Sequence, residues 1–207
     1  MPQPRGGKYV APWFHDGGAG PNLPGRMTRP ERDAILIPMA ETLYYFAYGS
    51  NMSTRRLRFR VPSARVVDVA TLAGHRLAWH KKGADGSGKC DIPEALSADI
   101  VYGVLYAIDP VHKPRLDRAE GLGRGYEQKS VDLQRPGRGS PALAFTYYAI
   151  RIDPGYVPYD WYRDHVLIGA REHDLPTDYV HLIENVPTVR DRDERREALE
   201  RRIHEAG

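Results

Sequence analysis

Apolar and polar positions along the chain follow strand periods through the middle and helix periods towards the end. Leu43 to Tyr48 is a nearly continuous apolar and aromatic run of strand length, closed by Gly49-Ser50-Asn51. Ala64 to Leu72 and Arg76 to His80 predict further strands around a turn at Ala73-Gly74, and the glycine-rich residues 83–89 predict a flexible loop. Ile100 to Ile108, rich in β-branched and aromatic residues, is a strong strand. Asp109-Pro110 then supplies an N-cap with proline at the first helical position, so a short helix is expected towards Ala119. Tyr126 to Leu133 and Ala142 to Ile150 predict two more strands, separated by the turn at 135–139. Asp160 to His173 places Tyr162, Val166 and Ala170 at four-residue steps on one helical face. Few helices separate consecutive strands, which favours an α+β domain with a mostly antiparallel sheet or small barrel over a doubly wound fold.

Composition changes the picture at the N-terminus. Residues 1–40 hold 13 of the 37 Pro and Gly residues in the 207-residue chain, so we read them as a disordered or extended segment ahead of a domain spanning 41–207. Met39 stands just before the first strand, where translation could also begin; a docking arm built on Trp13 and Phe14 is the weaker reading. Lys plus Arg number 30 and Asp plus Glu 27, and beyond residue 40 the counts are 25 and 24. That balance argues against nucleic acid or an anionic membrane as partner. No apolar run reaches the length of a membrane span and the first forty residues lack a secretory core, so a cytoplasmic protein is expected. The charged stretch from about 190 carries Asp191/Arg195 and Glu197/Arg201 at i,i+4, the pattern of a solvated helix.

Candidate chemistry lies in two segments. Tyr45-Phe-Ala-Tyr-Gly-Ser-Asn-Met52 is a buried strand running into a tight turn and then a helix capped by Ser53 or Thr54. Such a turn exposes several backbone N–H groups suited to a carboxylate or phosphate, although the same residues suit an ordinary β-turn. It is not a nucleophile elbow, because neither flanking glycine is in place. In Leu116-Asp-Arg-Ala-Glu-Gly121 a helix ends at glycine with Glu120 in its last turn, where the macrodipole would favour a cation. Asp117, Glu94 and Glu127 are rival carboxylates. The eight histidines show no ligand spacing, and the single cysteine, Cys90, has no evident base beside it.

The first segment, then Arg60-x-Pro62-x-Ala64, Leu-Asp-x-x-Glu-Gly and Gly169-Ala-Arg-Glu-x-x-Leu-Pro176, together resemble the γ-glutamylcyclotransferases, in order, from about residue 43 to residue 186. The resemblance implies a small mixed, mostly antiparallel, barrel-like sheet with helices packed outside. It also implies conversion of γ-glutamyl amino acids or amines into 5-oxoproline and the free amine without metal or organic cofactor. Carried over to this chain, Glu120 would be the catalytic carboxylate, acting as base and then acid. Tyr45, Phe46, Ala47, Tyr48, Gly49, Ser50, Asn51, Tyr126 and Tyr162 would line the substrate site. The glutathione-restricted branch usually carries an apolar residue where this chain has Asn51. Removal of a γ-glutamyl protecting group in small-molecule biosynthesis, and a binding homologue without turnover, are the alternatives. A small-molecule partner and a monomer or homodimer are expected.

Overall fold

The computed structural model describes residues 41–205 apart from Gly137 and Gly139, so the expected N-terminal segment 1–40 lies outside the described residues. Seven strands and five α-helices follow one another: β1 (Leu43–Ala47), α1 (Thr54–Arg60), β2 (Arg65–Ala73), β3 (Ala78–Lys82), β4 (Gly88–Asp91), β5 (Ile100–Ile108), α2 (Lys113–Glu120), β6 (Tyr126–Leu133), β7 (Ala142–Ala149), α3 (Asp160–Glu172), α4 (Thr177–Glu184) and α5 (Glu194–Glu205). The main sheet runs β2-β5-β1-β7-β6. Only β1 and β7 pair in parallel, at Tyr45 and Phe145; the other neighbours are antiparallel. Phe46, Ala47, Val104, Leu105 and Tyr106 are almost fully buried, which explains why β1 and β5 read as unbroken apolar runs. Outer strand β6 instead alternates less and more exposed positions from Glu127 to Leu133.

The edges of this sheet meet at a single antiparallel bridge, Thr71 N–H to Gln134 O at 2.8 Å and the reverse at 2.9 Å. The sheet therefore curls strongly without closing into a true barrel. The fold is α+β with a mostly antiparallel sheet, as expected.

Two expectations need correction. Residues 83–89 are no simple loop: residues 83–87 turn between β3 and β4, which form a separate two-stranded sheet beginning again at Gly88. Asp85 closes this turn by accepting from Ser87 N and Oγ and from Lys89 Nζ. The hairpin is tied to the main sheet where Asp91, 2% exposed, accepts the Ala149 N–H at 2.7 Å. Nor is Asp191 the helical partner of Arg195. It lies before α5, 1% exposed, and accepts from Trp161 Nε1 and from Nε and Nη2 of Arg196. The Glu197–Arg201 pair does form, at 2.9 Å.

Helix α5 buries no residue completely and is held largely by polar contacts. Glu200 pairs with the buried Arg56 of α1, His165 Nε2 lies 3.0 Å from Glu200 Oε2, and His165 Nδ1 lies 2.6 Å from His204 Nε2. Burial, helped by the Arg56 charge, pushes His165 down to about 4. Burial works the other way on Glu200, but His165 and Arg56 outweigh it and hold the carboxyl at about 2. Both folded-state values lie below those of the unfolded chain, so both contributions are complete above neutrality and fade on acidification. His165 acts first, as pH falls from 6.5 towards 4. Thermal unfolding across that window should show a stability loss on the order of 2–3 kcal/mol. His165→Gln should flatten the fall; an equally steep fall in that variant would assign the acid sensitivity elsewhere.

Candidate active site

Chain geometry around the first glycine turn explains its sequence. After β1 the backbone enters one 3-10 turn, Ser50–Met52, and α1 follows with Ser53 as its cap, the hydroxyl accepting from Arg56 N. Gly49 passes so close to β4 that a Cβ there would lie 3.0 Å from Cys90 Cβ. Gly49, Ser50 and Asn51 all line a slot, and their backbone N–H groups find no acceptor among the described residues. On the opposite side α2 ends at Gly121, whose φ of 72° lets the chain leave the helix directly after Glu120.

The slot lies between these two features. Tyr45, Tyr48, Gly49, Ser50, Asn51 and Glu120 line it together with Cys90, Tyr126, Tyr147 and Tyr162. It holds about 280 Å³ of atom-free space including its mouth. Glu120 Oε1 accepts from Asn51 Nδ2 at 2.7 Å and from Arg60 Nη1 at 3.2 Å. Arg60 also donates to Asn51 Oδ1 at 2.9 Å, and Asn51 Nδ2 reaches the Tyr45 hydroxyl at 3.0 Å. One carboxylate oxygen is thus fixed from two sides, while Oε2 has no hydrogen-bond partner among the described residues.

The remaining slot groups are neutral. Burial pushes the Tyr45, Tyr48, Tyr126, Tyr147 and Tyr162 hydroxyls far above the ordinary tyrosine value, with the Glu120 charge adding to the effect. Burial also pushes the Cys90 thiol up to about 12, which leaves it protonated and unsuited to nucleophilic attack. Its backbone has the structural role: Cys90 N–H donates to the Tyr162 hydroxyl at 3.1 Å, and Cys90 O accepts from Tyr126 at 2.6 Å. The tyrosines therefore offer fixed hydroxyls, and Glu120 is the carboxylate in the slot.

Eight of the ten residues expected in the site come together here. Phe46 and Ala47 do not. Neighbours in a strand face opposite sides of the sheet, and the Phe46 ring packs against Gly103 of β5 instead. Ala47 is fully buried and does not reach the slot. Among the rival carboxylates, Asp117 is engaged by Lys113 and the Tyr147 hydroxyl, and Glu94 is exposed. Sequence reasoning quoted Arg60 only within a motif, without a role in the site, and missed Tyr147. Strand alternation from Phe145 signals Tyr147 weakly, whereas nothing local ties the last residue of α1 to a carboxylate 60 positions away.

Fold and slot define a class: a curled α+β sheet whose first strand ends in a glycine turn facing one anchored carboxylate. The AIG2-like family pattern matches residues 100–183. Bovine γ-glutamylcyclotransferase is 26% identical over 157 residues, 70% of this chain and 79% of its own length. The mouse γ-glutamylcyclotransferase is 28% identical over 150 residues, 67% of this chain and 76% of its own. A solved structure described as a γ-glutamyl cyclotransferase shares the fold with a TM-score of 0.70 at 24% identity, covering 78% of this chain and 99% of that one. An uncharacterized human protein does so at 0.69 and 25%, with the same coverage. In sequence the chain is thus similar to the AIG2-like family over residues 100–183 and to γ-glutamylcyclotransferases over about two thirds of its length, and it shares their fold. Among the described residues no helix is long and apolar enough to cross a membrane, and no three His, Cys, Asp or Glu side chains gather as a metal site.

Proposed function

We propose that the protein is a cyclotransferase that turns γ-glutamyl amino acids or amines into 5-oxoproline and the free amine, with Glu120 moving the protons. The observation that carries this reading is Glu120, anchored through Oε1 by Asn51 and Arg60, across a narrow slot from the unpaired N–H groups of residues 49–51. Relatives named γ-glutamylcyclotransferase support the general activity.

A γ-glutamyl compound contains its own nucleophile, since the α-amine can close a five-membered ring on the γ-carbonyl. The substrate must be curled and its ammonium deprotonated. Glu120 takes the proton on Oε2, the nitrogen–carbonyl bond forms, and the turn N–H groups receive either the oxyanion or the α-carboxylate. Glu120 then returns the proton to the departing nitrogen as its bond to the carbonyl carbon breaks, and the ring nitrogen gives up its second proton to the freed amine, which leaves as an ammonium. Proton transfer of this kind contributes about 10²–10⁴ in rate. Intramolecular attack adds an effective molarity on the order of 10⁵ M or more. Incubation with γ-glutamyl dipeptides should yield 5-oxoproline by mass spectrometry in proportion to enzyme. Saturable binding of the dipeptides without product would instead indicate a ligand-binding homologue.

A further inference from the structure

The slot opens into a larger groove with about 1530 Å³ of atom-free space by the same measure, and the two share Ser50, Glu120, Tyr126 and Tyr162. A γ-glutamyl head in the slot would therefore leave the departing half of the substrate in this groove. Its walls carry three acidic side chains, and each is already engaged: Glu200 by Arg56, Glu120 by Arg60 and Asp85 by Lys89. Five further cations, Lys81, Lys82, Arg118, Arg124 and Arg151, line the groove without a carboxylate partner among the described residues. The near-neutral charge of the whole domain conceals this local excess, and a groove with a net excess of one charge concentrates ions of the other.

Lys81 stands out among the five. It is only 9% exposed, and its ammonium lies 4.5 Å from the centre of the Tyr126 ring at the junction of slot and groove. Glycine at 125 makes the space, because a Cβ there would sit 3.0 Å from Lys81 Nζ. The Glu120 and Asp85 charges act on this ammonium from beyond ion-pair distance, so its burial is only partly offset, and an arriving anion adds a direct partner.

Building on the cyclotransferase reading, we propose that the departing half of the substrate is an acidic amine, with Lys81 receiving its first carboxylate and the other groove cations a second negative group. γ-Glutamyl-glutamate, γ-glutamyl-alanine and γ-glutamyl-ethylamide present two, one and no such charges. Their kcat/KM values should fall in that order, by about tenfold at each step, the worth of one charge-assisted contact. The spread should shrink in high salt. Lys81→Met should bring alanine and ethylamide substrates towards parity.

Equal kcat/KM across the panel, or a spread indifferent to salt, overturns the acidic-amine assignment and leaves the cyclotransferase reading intact. If no panel member yields 5-oxoproline, that reading fails. Calorimetry of the uncleaved compounds then still decides the groove's preference, because γ-glutamyl-glutamate should bind more tightly than the ethylamide, and equal affinities overturn it.

Discussion

Glu120→Gln should lower release of 5-oxoproline by about 10²–10⁴-fold while the protein stays folded. The amide preserves shape and can still accept from Asn51 and Arg60, which now hold Oε1 at 2.7 and 3.2 Å. It cannot take a proton from an ammonium and return it to a leaving amine. Asp117→Asn is the informative control, because Asp117 lies three residues earlier on α2 and is bound by Lys113 and Tyr147. That variant should lose some stability and keep most of its turnover. If Glu120→Gln retained more than a tenth of wild-type turnover, or if Asp117→Asn were the inactive one, Glu120 would not be the proton carrier. Matching melting profiles for wild type and Glu120→Gln would show that the loss is chemical.

Elements whose signal is local were legible in the sequence. Strand β5 spans Ile100–Ile108 as its apolar run predicts, and the chain leaves α2 at Gly121, as the glycine after Glu120 signals. Pairings between distant segments were not legible. The parallel contact of β1 with β7 joins Tyr45 to Phe145, and no feature within either strand specifies that neighbour. Helix α4 escaped because it is one short element starting directly after Pro176 without a capping side chain. Strand β4 escaped because only four residues, Gly88–Asp91, follow a glycine-rich turn.

The site divides along the same line. Glu120 and the Gly49–Asn51 turn are marked by glycine at defined backbone positions and by the family resemblance. Arg60 stands in a motif of the resemblance but without an assigned role, and Tyr147 and Lys81 arrive from β7 and β3 through packing alone. The inclusion of Phe46 took a contiguous segment as a continuous surface, which the side-to-side alternation of a strand forbids; Ala47 shares the side of Tyr45 but is fully buried outside the slot.

Gly169→Val should be the most destabilising of the substitutions considered, although it lies in the middle of a helix where glycine is intrinsically unfavourable. Helix α3 rests directly on the turn that begins the slot: a Cβ at 169 would lie 2.4 Å from Ser53 N and 2.6 Å from both Met52 C and Met52 Cβ. Those neighbours are mostly main chain, so no rotamer change relieves the clash, and either the helix or the turn must move. Overpacking of this kind costs about 1–3 kcal/mol, more than the few tenths gained in helix propensity. For a domain of this size each kcal/mol lowers the melting temperature by about 2–4 °C. A displaced Ser53 also disturbs the cap of α1, and with it Arg60, the residue that holds Glu120. Turnover measured well below the melting point should therefore fall as well, whereas Ile168→Ala, at a position 37% exposed, should change little in either respect. A Gly169→Val protein as stable and active as wild type would mean that α3 does not bear on the turn, and the support for the slot would have to come from elsewhere.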